Sequence, residues 1–177
     1  MTEHPHAAAT RAVPCLADLT DEEAAAAAPH LLIRSLAPGE VLFRQGDPGA
    51  SVYVLVSGEV EIRVPGTDGD HELATIGPGT FVGEFALLAD TRRTRSVVAG
   101  SQAELWELPR ADFESALASG EPWATRFLMS VARELARQML AVDRQIAALM
   151  EADRDQPSAR VRELEKLRRQ LSGEWKF

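Results

Sequence analysis

Ser57-Gly58-Glu59-Val60-Glu61-Ile62-Arg63-Val64-Pro65-Gly66 reads as one strand with both of its ends. Val60, Ile62 and Val64 alternate with Glu59, Glu61 and Arg63, a period of two that puts apolar side chains on one face and charges on the other. Pro65-Gly66 closes the run, because proline fixes φ and removes a ladder donor. The same texture extends outward from Leu31 to Leu108, as short apolar runs divided by Pro38-Gly39, Pro48-Gly49, Pro65-Gly66 and Pro78-Gly79. Between these signals Leu31–Leu36, Glu40–Phe43, Ser51–Val56, Glu59–Val64, Glu72–Ile76, Thr94–Ala99 and Ala103–Leu108 read as strands. Many short strands with regular turns predict a mainly β sandwich or jelly roll.

The flanks read differently. Residues 1–13 are alanine-rich and aperiodic, which predicts a flexible N-terminal tail. Thr20-Asp21-Glu22-Glu23 is a capping box, with Thr20 as N-cap and Glu23 three positions on, so a helix over the following alanines should end at Pro29. After Pro109 the period turns helical, with a short helix over Ala111–Ala118 and a long one opening at Glu121-Pro122. Leu128, Val131, Leu135, Met139, Val142, Ile146 and Leu149 form one apolar stripe. A helix of roughly 28 residues reaches about 42 Å, more than a small barrel covers. The uncovered stripe predicts a homodimer through residues 121–150, paired in parallel around Leu128, Leu135, Val142 and Leu149. Asp153 to Pro157 interrupts the pattern. Residues 158–171 form a second amphipathic stretch, ahead of Trp175 and Phe177, two aromatics suited to docking onto a protein partner or back onto the barrel. The chain thus reads as a tail (1–13), a main domain (14–150) and a linker with a C-terminal amphipathic helix (151–177).

Composition narrows the partners. The chain has 177 residues, and its net charge of −8 divides into −9 over residues 1–150 and +1 over 151–177. So acidic a main domain argues against direct DNA binding, which rests on neutralising phosphates. No apolar run approaches a membrane span and no signal peptide opens the chain. The single cysteine, Cys15, rules out an intramolecular disulfide and fits the cytoplasm. Of the four histidines only His71 falls inside the β region, too few for a converging metal site, so neither a metal nor a catalytic centre is expected. Seventeen arginines beside two lysines, with abundant alanine, suggest a GC-rich bacterial genome.

Chemistry concentrates in Phe81-Val82-Gly83-Glu84-Phe85-Ala86-Leu87-Leu88, with Arg92-Arg93-Thr94-Arg95-Ser96 close behind. A Gly-Glu pair opens a short apolar turn, and Arg93 returns nine residues after Glu84. That spacing suits a small ligand carrying a phosphate and a hydroxylated sugar. Backbone N–H groups and a guanidinium fork hold phosphate oxygens, while a carboxylate accepts from sugar hydroxyls. A plain surface ion pair between Glu84 and Arg93 is the alternative, worth at most about 1 kcal/mol.

This pattern resembles the phosphate-binding cassette of the cyclic nucleotide-binding domain family, as found in catabolite-activator-type regulators and kinase regulatory subunits. Leu36-Ala37-Pro38-Gly39-Glu40-Val41-Leu42-Phe43-Arg44-Gln45-Gly46-Asp47 and Val52-Tyr53-Val54-Leu55-Val56-Ser57-Gly58-Glu59-Val60 are similar to the family's opening strands and next hairpin. The resemblance covers residues 16–150. It implies a β jelly-roll (double-stranded β-helix) barrel followed by a long C-terminal helix, with cAMP or cGMP as ligand and no cofactor. It further implies that Gly83 admits the ligand, Glu84 takes the ribose 2′-hydroxyl, and backbone N–H groups at Phe85 and Ala86 face the cyclic phosphate. Arg93 would pair with that phosphate and Thr94 would supply a hydroxyl. Gln138 interrupts the helical stripe and would reach the purine, or set register between two chains. The sequence departs from the family at Arg95, where a small residue is usual. On a strand Arg95 would share the face of Arg93, and so crowd the pocket, add a second cation or escape through a bulge.

Three functions follow as expectations. The first is a cyclic mononucleotide sensor that signals through its C-terminal helices to a protein partner. The second is an interaction module with a vestigial pocket. The third is the effector half of a transcription regulator, although the 27 residues after Met150 are too few for a winged helix-turn-helix.

Overall fold

The strands pair as the two arms of a single long hairpin that is wound back on itself. In the computed structural model, which describes residues 4–66, 69–89, 91–152, 164 and 166–169, the β elements are β1 (Leu32–Leu36), β2 (Val41–Phe43), β3 (Ser51–Ser57), β4 (Val60–Gly66), β5 (Gly69–Ile76), β6 (Phe81–Val82), β7 (Ser96–Ala99) and β8 (Ala103–Pro109). Antiparallel pairs run β1–β8, β2–β7, β3–β6 and β4–β5, first with last and so inward. Cross-pairs β3–β8 and β4–β7 then complete two four-stranded sheets, ordered β1-β8-β3-β6 and β2-β7-β4-β5. This is the expected jelly roll.

Around the sheets lie α1 (Ala7–Ala12), α2 (Asp21–Ala27), α3 (Glu84–Ala89), α4 (Arg110–Ala118) and α5 (Pro122–Ala152). The chain divides into two compact units, residues 1–132 and 133–177. In the first, Leu36, Leu55, Val60, Val82, Val97, Ala99, Ala103 and Leu105 make a core drawn from both sheets. Val52, Val54, Trp106 and Leu108 occupy the alternate positions of β3 and β8 and are buried as well, so those central strands are covered on both faces. Phe127 of α5 packs edge-on against Phe81, with ring centroids 5.2 Å apart, and against Phe113 of α4 at 5.6 Å. Trp106, Phe113 and Phe127 are core residues.

The capping box forms as read. Thr20 Oγ1 accepts from the Glu23 N–H, and Glu23 Oε2 accepts from the Thr20 N–H. Helix α2 gives way at Ala28 to a 3-10 turn holding Pro29. Residues 7–13, expected as part of a loose tail, instead hold helix α1, with Thr10 and Val13 buried. Single Thr and Val anchors in an alanine-rich run leave no periodic signal, so composition alone misread them.

The strand expected from Thr94 starts two residues later, at Ser96. The Arg93 N–H donates to the Asp47 carbonyl (2.9 Å), and the Arg93 carbonyl accepts from Gly46 (2.8 Å). These two bonds hold Arg93 against the turn after β2, ahead of the β2–β7 ladder, whose register shifts between Val41 and Phe43.

In the second unit, α5 continues to Ala152 and exposes Met139, Leu140, Val142 and Leu149. Leu164 and residues 166–169 are helical. Trp175, Phe177 and most of the 158–171 stretch lie outside the described residues. Among those described, no helix is long and apolar enough to cross a membrane, and no cluster of three or more His, Cys, Asp or Glu is placed to hold a metal ion.

Candidate ligand-binding cassette

Strand β6, Gly83, helix α3 and the return through Arg93 form the cassette. Arg93 is its centre and is only 5% exposed. Its Nη1 donates to the Gly83 carbonyl at 3.2 Å. The guanidinium lies over the Phe43 ring, with Cζ 4.1 Å from the centroid, and 5.5 Å from the centroid of Tyr53. Such ring faces attract a cation but do not neutralise it. Its buried Nε has no hydrogen-bond partner among the described residues. Burial lowers the pKa of Arg93, and neighbouring Arg110 adds to that, while Tyr53, Glu107 and Asp47 oppose it. A buried guanidinium with donor capacity left over is arranged to accept an anion.

Gly83 explains how the arginine fits. Its φ is +82°, a left-handed conformation that side chains rarely adopt. A Cβ there would lie 2.2 Å from Arg93 Nη1. The glycine therefore serves the arginine directly, whatever it does for a ligand.

The rest of the cassette divides by exposure. Glu84 is the first residue of α3 and is buried, as is Ala86, while Phe85 is exposed. Thr94 and Arg95 are exposed and lie in a bend. The local irregularity therefore takes Arg95 out of the alternation that would have placed it beside Arg93. Gln138 belongs to the second unit, where its Nε2 is 3.5 Å from Glu134 Oε1.

Sequence reasoning missed five contributors. Phe43 and Tyr53 look like ordinary strand residues, yet their rings face Arg93. Glu107 accepts from Ser51 Oγ at 2.6 Å and more weakly from Tyr53 Oη at 3.4 Å, and Arg34 Nε donates to it at 2.6 Å. Burial raises the Tyr53 pKa, helped by Glu107. Gly49 and Arg110 flank α3 from outside and border a cavity of about 380 Å³ with Pro48, Ala50, Thr91 and Arg92. The four Pro-Gly repeats offered a weak pointer to Gly49 alone.

A jelly-roll barrel with an anion-ready cassette between β6 and β7 is the class that this fold and site define. Residues 33–119 match the family model of the cyclic nucleotide-binding domain. The N-terminal domain of a transcriptional regulator from Streptomyces coelicolor A3(2) is similar at 32% identity and TM-score 0.62, over 76% of this chain and 94% of that one. The Thermus thermophilus catabolite activator protein is similar at 30% identity and TM-score 0.65, over 77% of this chain and 62% of that one. A cAMP-dependent protein kinase regulatory subunit from Colletotrichum orbiculare is 36% identical over 107 residues, 60% of this chain and 27% of that protein. The chain thus spans about a quarter of the length of such curated relatives. It belongs to the cyclic nucleotide-binding domain family.

Proposed function

We propose that this chain is a cytoplasmic sensor of a cyclic mononucleotide, cAMP foremost and cGMP as the alternative, and acts by binding rather than by catalysis. The observation that carries this reading is Arg93, almost fully buried with an unpartnered Nε and seated on the left-handed Gly83. Gly83, Glu84, Phe85, Ala86, Arg93 and Thr94 form the ligand set. Similarity to a cAMP-dependent kinase regulatory subunit and to a catabolite activator protein supports the choice of ligand.

Calorimetric titration with cAMP and cGMP tests this. The chain is expected to bind at least one, and Arg93→Ala and Glu84→Ala each to weaken binding by roughly 1.5–3 kcal/mol, the worth of a charge-assisted hydrogen bond. Substituted chains that bind as tightly as the parent would refute the cassette assignment.

The output runs through a homodimer formed by α5 around Leu128, Leu135, Val142 and Leu149, of which Val142 and Leu149 are exposed, as is Met139 of the same stripe. A protein partner then reads the 158–177 segment. Sedimentation at micromolar concentration is expected to give a dimer; a monomer with and without nucleotide would remove this part of the reading.

A further inference from the structure

Arg110 opens α4 directly after β8 and ties three pieces of chain together. Its backbone N–H donates to the Ala50 carbonyl at 2.8 Å. Its Nη2 donates to the Gly49 carbonyl at 2.9 Å and also to the carbonyl of Ala86 in α3. Loop and helix meet closely between these bonds. A Cβ on Gly49 would lie 2.2 Å from Ala86 Cβ and 2.7 Å from the carbonyl oxygen of Thr91. The loop after β2 therefore lies flush against α3 and against the stretch that leads into Arg93.

We propose that Arg110 is a positioning residue of the cassette: its guanidinium fastens the Ala86 carbonyl to the loop at Gly49 and so fixes α3 at a set distance from Arg93. The proposal deepens the nucleotide-sensing reading and rests on it. The physical argument is geometric. A phosphate held between a guanidinium and a short helix is bound well only if both are already in place, since any ordering left to the moment of binding subtracts from affinity. A six-residue helix has little stability of its own. Its place must come from outside, and Arg110 bonds to it through a charge-assisted donor from behind. A phosphate gains from that placement, whereas a neutral nucleoside, which makes no contact between the guanidinium and α3, does not.

The test uses the full chain with Arg110→Met and Arg110→Lys, read by hydrogen exchange over residues 84–93 and by titration with cAMP and adenosine as probes. Arg110→Met is expected to speed exchange in that segment and to weaken cAMP about tenfold, the effect of one lost charged hydrogen bond. Adenosine binding should move by less than about twofold, because it lacks the phosphate. Arg110→Lys keeps the charge and should recover part of both effects. Unchanged exchange at 84–93 in Arg110→Met overturns the proposal whatever the nucleotide does, and equal losses for cAMP and adenosine overturn it as well. If the unsubstituted chain binds neither cAMP nor cGMP, the sensor reading falls, and the exchange measurement alone decides the role of Arg110.

Discussion

Glu23 and Arg93 are both charged and both almost wholly buried, at 8% and 5% exposed, but the fold answers them differently. Glu23 receives the Thr20 N–H at 2.8 Å and the Arg126 guanidinium at 2.7 Å, so hydrogen bonds and an opposite charge replace its lost hydration. Arg93 receives a carbonyl and two ring faces, and keeps a donor in reserve. The carboxylate joins α2 to α5 and serves stability. The guanidinium keeps a desolvation cost that the fold offsets only in part, which is the difference from the paired Glu23 and the basis of the proposed anion site.

The largest expected effect tests Arg93 directly. Arg93→Met keeps much of the volume and removes the charge. It should abolish the rise in melting temperature expected of the parent chain with cAMP, while the free protein melts no lower than the parent. A free Arg93→Met protein that melts well below the parent would place Arg93 with Glu23 as a structural charge and erase the contrast.

Gly83→Ala comes next. Left-handed backbone and a Cβ 2.2 Å from Arg93 Nη1 should together cost about 1–2 kcal/mol in denaturant unfolding. Part of that cost should vanish in the double variant with Arg93→Met, because the atom it strikes is gone. Strict additivity would mean that Gly83 answers to its own backbone alone.

Glu23→Gln sharpens the other side. The Thr20 N–H, and then Arg126, hold the Glu23 carboxyl below its ordinary value of 4.5. A lowered folded-state pKa gives stability that is present above 4.5 and lost as pH falls through the folded value. The variant should therefore be about 1 kcal/mol less stable than the parent at pH 7. That gap should close on acidification below 4.5. A gap that persists in acid would mean that the charge of Glu23 contributes nothing.

Tyr53→Phe should have the smallest effect. It removes a 3.4 Å hydrogen bond to Glu107 but keeps the ring that faces Arg93, so stability should change by less than about 1 kcal/mol. Nucleotide affinity should stay level. A marked loss of affinity would show that the hydroxyl and Glu107 help to set the charge balance at Arg93.

Much of the barrel was legible from local pattern, because the rules involved act within a few residues. The alternation at Val60, Ile62 and Val64 reports one buried face, and the Thr20/Glu23 box reports a helix start over four positions. Two-residue β6 carries too little sequence to show a period, and α1 rests on isolated anchors. The candidate site was half legible. Gly83, Glu84 and Arg93 stand out by type and spacing, whereas Phe43, Tyr53, Gly49 and Arg110 look like strand, turn and helix-end residues until folding sets them around the cassette.

By itself the sequence determined where strands and helices form and which short stretch gathers glycine, carboxylate and guanidinium, since propensity and side-chain chemistry are local properties. Only the tertiary structure decided that Arg93 is buried with a donor to spare while Arg95, two residues on, is exposed. Burial and hydrogen-bond satisfaction depend on what the rest of the chain brings to a point in space. Here the turn at Gly46 and Asp47 takes both backbone bonds of Arg93, and a left-handed glycine makes room for its side chain.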